Sequence, residues 1–263
     1  MFQERFTRRQ GFEKAAGVVG AAGLTQEFAP VRIKILTYHA LYSPDQIYND
    51  VMPFLRDDPN RTPKEAYMPI DLDLAVDLIS HKYPPTDQNY LAATCDDGLS
   101  SQPDFARASA DRIEKETRFP LPIEFFVLTK FEDLEIPVEE MPDGTLSYFD
   151  GNPKKHATLG ALRGIAREGI HHIRNHTINH GSLPGMSIDK RNAEVEDGEK
   201  KILAIYRSVK RVPPKRKVFA YPNGACKGQE EYILSKYDMA VSTERGELHY
   251  PWDMGHIGRN GNS

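Results

Sequence analysis

Between residues 31 and 242 the chain alternates short apolar runs with longer stretches whose apolar residues recur every three or four positions. This rhythm constrains the fold more than any motif does. A short, continuous apolar run is a strand buried on both faces, and such strands belong to parallel sheets covered by crossover helices. The expected strands are 31–38, 89–95, 123–128, 170–175, 217–221 and 239–242. The expected helices are 70–79, 102–115, 158–168, 187–209 and 229–237. Leu72, Ala75, Val76 and Ile79 share a face after the Pro69 stop, and Gly169 is placed to close 158–168. Strand–helix repeats over this length predict an α/β fold with a parallel sheet. Only residues 132–155, with Pro137, Pro142, Gly144, Gly151 and Pro153, break the pattern, and they read as an inserted loop.

Two clusters then stand out against this frame. Thr94-Cys95-Asp96-Asp97-Gly98 puts two carboxylates at the end of an apolar run, where charge is costly unless it serves a site. His176-Thr177-Ile178-Asn179-His180 spaces two imidazoles four residues apart. Nine histidines make an H-x3-H pair expected by chance in roughly a third of such chains, so spacing alone decides nothing. Position decides more. His39, Asp96-Asp97, His176, Pro222-Asn223-Gly224 and His256 each follow an expected strand, and parallel barrels gather their active sites at the carboxyl ends of strands. One carboxylate with two imidazoles is a ligand set for a catalytic divalent metal with an open position. The second carboxylate is then a candidate general base. His171 and His172 read as supporting residues, and His81, His156 and His249 as surface.

Composition excludes several alternatives. A net charge of −4 with scattered signs argues against a nucleic-acid partner, two cysteines give no disulfide framework, and no stretch is apolar enough for a membrane span. Residues 1–30 differ in character. Arg8-Arg9 followed by Phe12, Lys14 and the small apolar run 15–24 resembles a twin-arginine export signal, which implies an extracytoplasmic location. Residues 31–263 would form one catalytic domain.

These residues together resemble the polysaccharide deacetylase family, the NodB-homology domain of carbohydrate esterase family 4. Thr94 to Gly98 is similar to its T-F-D-D-G motif, Gly169 to His180 to its G-H-x-E-I-G-x-H-[ST]-x-x-H motif, and Phe219 to Gly224 to its F-[RA]-x-P-Y-G motif. Ile35-Leu36-Thr37-Tyr38-His39 resembles the opening strand of the poly-N-acetylglucosamine deacetylase subgroup. The resemblance implies a distorted (β/α) barrel of about seven strands that removes acetyl groups from an N-acetylated glycan. By position it makes Asp97, His176 and His180 the metal ligands, for Zn2+ or else Co2+, Ni2+, Mn2+ or Fe2+. Asp96 becomes the base and the Asn223 backbone N–H an oxyanion donor. Tyr221, Pro222 and His39 are expected on the substrate side, and His256 is the candidate acid. Three positions depart from the pattern: Cys95 for Phe, Asn223 for Tyr, and Ala220 where many members carry an arginine that steadies the base. Two other readings stay open. One is a metal-dependent hydrolase of a small amide or cyclic ureide, although its relatives favour H-P-x-x-H where Thr177 stands here. The other is a non-catalytic carbohydrate-binding module.

Overall fold

The structure, a computed structural model, describes residues 32–55, 66–80, 88–130, 139–140, 146–147, 155–243, 254 and 257–262. In chain order its strands are β1 (Ile33–Tyr38), β2 (Tyr67–Pro69), β3 (Asn89–Cys95), β4 (Ile123–Val127), β5 (Glu139–Glu140), β6 (Leu146–Ser147), β7 (His172–Asn175), β8 (Val218–Ala220), β9 (Met239–Val241) and β10 (Asn260–Asn262). The helices are α1 (Gln46–Leu55), α2 (Leu72–Ser80), α3 (Ser101–Thr117), α4 (Leu159–Glu168), α5 (Ile188–Asn192), α6 (Gly198–Ser208) and α7 (Glu230–Leu234). The main sheet runs β10-β1-β3-β4-β7-β8-β9, with β2 beside the first half of β3, and its ladders are parallel. It curls into a distorted (β/α) barrel of the NodB-like kind. Residues 257–262 join the edges: Ile257 exchanges backbone hydrogen bonds with Ala240 and Ser242 beside β9, and β10 pairs with β1.

Alternation along the strands sorts their side chains into two layers. Ile33 and Ile35 of β1, Tyr90 and Ala92 of β3, Phe126 of β4, Val218 and Ala220 of β8 and Val241 of β9 face inward, packed with α2 and Ile257. Leu36, Tyr38, Leu91, Ala93, Cys95, Phe125, Val127 and Ile173 face outward, beneath α1, α3, α4 and α6. Every residue of β3 is buried. The same phase carries Thr37, Thr94 and Asp96 along the inner face toward the carboxyl end.

Local chemistry fixes element ends where the sequence foretold them. The Thr158 hydroxyl accepts from the Ala161 N–H at 3.1 Å and caps α4, and Gly169 ends it in the left-handed region at φ 74°. Elsewhere the fold differs from expectation. α1, β2 and β10 were not anticipated: α1 carries Pro53 in its last turn, and the two strands are three residues each. The single helix expected over 187–209 is α5, a π turn at Ala193–Asp197, and α6. Within 132–155, β5 and β6 pair antiparallel, and the 1–30 segment lies outside the described residues.

Candidate metal centre

The site lies where β1, β3, β4, β7 and β8 end. Asp97, His176 and His180 each bring one ligand atom to within 4.8 Å of the others. Asp97 Oδ1 is 3.5 Å from His176 Nε2 and 3.3 Å from His180 Nε2, and the two rings are 5.0 Å apart. No helix produces this convergence. Residues 176–180 form a turn in which Thr177 (φ 71°) and His180 (φ 59°) are left-handed, and Asp97 (φ 71°) is left-handed as well. Such backbone costs about 1–3 kcal/mol per residue and persists only where surroundings enforce it. Gly98 shows the crowding. It too is left-handed, and a Cβ there would sit 2.8 Å from Val127 Cβ.

The His176 ring nitrogens are assigned by a partner. His176 Nδ1 lies 2.9 Å from the Ala220 carbonyl oxygen, which requires N–H at Nδ1 and leaves the Nε2 lone pair facing Asp97. Burial and the neighbouring His176 lower the His180 pKa, favouring the neutral imidazole that a metal needs. Asp97 Oδ1 is buried without a hydrogen-bond partner among the described residues. A buried carboxylate oxygen facing the Nε2 atoms of two imidazoles is the donor set of a divalent cation, so these residues fit one.

Asp96 is buried beside this trio and is clamped by a residue the sequence reading did not single out. Arg259 donates from Nη1 to Oδ1 at 2.7 Å and from Nη2 to Oδ2 at 2.5 Å. The same guanidinium reaches Thr94 Oγ1 at 3.1 Å and the Ser242 carbonyl at 2.9 Å. Burial opposes ionisation of Asp96, but Arg259 and then His176 dominate and lower its pKa. The arginine missing at Ala220 is therefore supplied by the segment leading into β10. Ala220 faces inward, so both positions address the same interior. Gln102, buried under the loop, donates to the His39 carbonyl at 2.8 Å and the Asp96 carbonyl at 2.5 Å, which fixes the ends of β1 and β3 together.

The other expected site residues divide. His39 is exposed at the mouth, close enough for its charge to act on Asp96, Asp97 and His180. Asn223 is exposed in a short 3-10 turn with φ 56°. Tyr221 points outward and is fully buried beside Phe219, with ring centroids 5.4 Å apart, and Pro222 is buried too. Their side chains pack rather than line an open surface. His256 lies outside the described residues, as do His81 and His249. His156, read as a surface residue, has Nδ1 3.2 Å from the Asp97 carbonyl. It lines a cleft of about 420 Å3 with Asp97, Lys130, Ile178, Asn179 and His180. His171 and His172 lie at the other end of β7, away from the trio.

The family model described as polysaccharide deacetylase matches residues 84–242, more than half of the chain. The chain belongs to the polysaccharide deacetylase family. Solved structures share the fold at low identity. The Streptococcus pyogenes deacetylase PplD, solved with acetate, is 17% identical with a TM-score of 0.65, covering 89% of this chain and 93% of that one. IcaB from Ammonifex degensii is 17% identical with a TM-score of 0.55, covering 89% and 92%. BC0361, a polysaccharide deacetylase from Bacillus cereus, is 18% identical with a TM-score of 0.61 and covers 88% of this chain. The chain spans only 65% of BC0361 and of BA0330 from Bacillus anthracis. No curated protein matches the sequence.

Proposed function

We propose that this protein is a metal-dependent hydrolase that removes N-acetyl groups from a polysaccharide or oligosaccharide containing N-acetylglucosamine. The observation that carries the reading is the orphaned Asp97 Oδ1, which faces two imidazoles beside an ionised, arginine-clamped Asp96. Asp97, His176 and His180 would hold the cation, with zinc the first choice for this donor set. A bound divalent metal supplies Lewis acidity toward the amide carbonyl and makes water a stronger nucleophile. Asp96 takes the proton of the attacking water. The Arg259 clamp uses one lone pair on each Asp96 oxygen and leaves others free to accept. The Asn223 backbone N–H is proposed to meet the carbonyl oxygen as it gains charge. Breaking the C–N bond then releases acetate and a sugar amine, which needs a proton. An imidazole would donate it: His39 at the mouth, or His256, the acid expected from the sequence.

The PplD structure holds acetate, the acid this reaction would release. The opening strand that ends in Tyr38-His39 supports a poly-N-acetylglucosamine substrate. An extracytoplasmic location rests on Arg8-Arg9 and residues 15–24. Among the described residues no helix is long and apolar enough to cross a membrane.

Metal analysis with acetate release from a panel of N-acetylated glycans tests the reading. The expected result is one divalent ion per chain and acetate from glucosamine polymers. Metal binding with no acetate from any glycan would leave a binding module instead. Release from cyclic ureides alone would move the chemistry to small amides.

A further inference from the structure

We infer that Glu194 is the positioning residue that holds the His176–His180 turn in its metal-binding shape, an inference that rests on the metal reading above. The turn contains two left-handed non-glycine residues, Thr177 and His180, and opens unless something outside it enforces the geometry. Its N–H groups at 178 and 179 point away from the cation site and need partners. Both donate to one oxygen of one side chain: Ile178 N–H reaches Glu194 Oε2 at 2.9 Å and Asn179 N–H reaches it at 2.8 Å. The Asn179 side-chain amide donates to Glu194 Oε1 at 2.7 Å. Glu194 is 5% exposed and forms no ion pair among the described residues. A buried carboxylate is costly unless fully hydrogen-bonded, and the donors found for this one are those of the ligand turn.

Glu194 stands in the π turn Ala193–Asp197 between α5 and α6. Widened turns of this kind re-aim side chains and occur often at functional sites. The same π turn offers the Val195 carbonyl to Asn175 Nδ2 at 2.8 Å, and Asn175 Oδ1 accepts the Thr177 N–H at 2.9 Å. Gly198 follows directly, and a Cβ there would fall 2.7 Å from Asn175 Oδ1. The π turn thus grips the ligand turn twice, through Asn175 at the Thr177 end and through Glu194 at the His180 end.

The test is zinc affinity of the full chain, measured by chelator competition for wild type, Glu194→Gln and Glu194→Ala. Thermal stability is measured on the same samples, and Glu124→Gln serves as a variant destabilised at the far end of the barrel. Glu194→Ala is expected to weaken zinc about 10- to 100-fold, the usual cost of losing a group that orients a ligand. Glu194→Gln keeps one acceptor oxygen for the two backbone N–H groups and should recover part of that loss. At saturating zinc, kcat on a short acetylated glucosamine oligomer should fall while KM stays unchanged. Wild-type zinc affinity in both Glu194 variants would overturn the inference alone, as would a loss of affinity no larger than Glu124→Gln shows at equal stability. If the alanine variant does not fold, the glutamine variant decides. A wild-type chain that binds no zinc would overturn the metal reading, and this inference with it.

Discussion

Toward the amino-terminal end of the barrel, Glu124 is buried and meets a donor at each oxygen. Leu72 N–H and His172 Nδ1 reach Oε1, both at 3.0 Å, and Arg174 Nε reaches Oε2 at 2.5 Å. Arg174 in turn binds Asp73 at 2.9 Å and the Arg216 carbonyl at 2.6 Å. At the carboxyl end, Asp96 is matched just as completely by Arg259, but its neighbour Asp97 keeps an oxygen without a donor among the described residues. Both regions hold carboxylate, imidazole and guanidinium inside the barrel, and composition does not distinguish them. The difference is satisfaction. A buried network whose members all have partners locks α2, β4 and β7 together. One missing partner among otherwise complete neighbours marks a place where the fold expects something from outside.

Asp96→Asn gives the largest expected effect. It removes the proposed base while sparing the three ligands, so acetate release should fall about 100- to 10,000-fold with metal content unchanged. A near-normal rate in the metal-replete variant would place the base elsewhere and break the contrast at its functional end.

At the structural end, Glu124→Gln leaves the Arg174 guanidinium buried beside a neutral amide. Breaking one side of a buried ion pair costs about 3–5 kcal/mol. Denaturant unfolding should show that loss, with zinc affinity and kcat like wild type in the folded fraction. Failure of metal binding in a folded Glu124→Gln protein would mean that the two ends are not separate.

A third effect concerns pH. Burial, then Arg107, lowers His171 to about 4 from an ordinary 6.5. The unfolded chain therefore takes up this proton between pH 6.5 and 4 while the folded chain does not. His171 thus contributes stability that is whole above pH 6.5 and declines as the pH falls toward 4, by about 3 kcal/mol in all. His172 behaves oppositely. Burial lowers its pKa, but Glu124 outweighs burial and raises it, so its contribution is whole below pH 6.5 and fades as the pH rises through the folded value. His171→Gln should flatten the stability profile between pH 6.5 and 4. An unchanged slope there would remove His171 from the account.

The smallest effect is the sharpest for the comparison. In metal-free protein, Asp97→Asn replaces an orphaned anion with an amide whose N–H can donate to an imidazole Nε2. Stability should stay level or rise by about 1 kcal/mol, whereas zinc affinity is lost. A clear loss of stability without metal would show that Asp97 is already satisfied.

Much of this was legible in the residues. The strand at 89–95 was placed to the residue, and α4 was bracketed by Thr158 and Gly169, because caps and apolar runs are local signals. Asp96-Asp97, His176 and His180 were singled out by type and by their place after strands, and the family resemblance made Asp97 the ligand and Asp96 the base. Arg259 was not picked out, since a single arginine in a polar stretch with no periodicity carries no local sign of its partner. Glu194 was hidden for a related reason: a helical pattern over 187–209 does not reveal a π turn that re-aims one side chain. His156 is exposed, as read, but its contact with the Asp97 carbonyl was hidden because that carbonyl lies more than fifty residues away in sequence.

The sequence by itself determined most of the long elements, their order, the parallel sheet and the pair of motifs that belong together, because burial periodicity and turn chemistry act over a few residues. It could not determine which way each strand faces. Strands buried on both sides are apolar on both sides, so Ala220 and Tyr221 look alike in the chain although one faces the interior and the other the helix layer. That choice came only with closure of the barrel. Closure brought residues 257–262 between β9 and β1, carried Arg259 to Asp96 across 163 residues, and left Asp97 Oδ1 facing two imidazoles with no donor among the described residues.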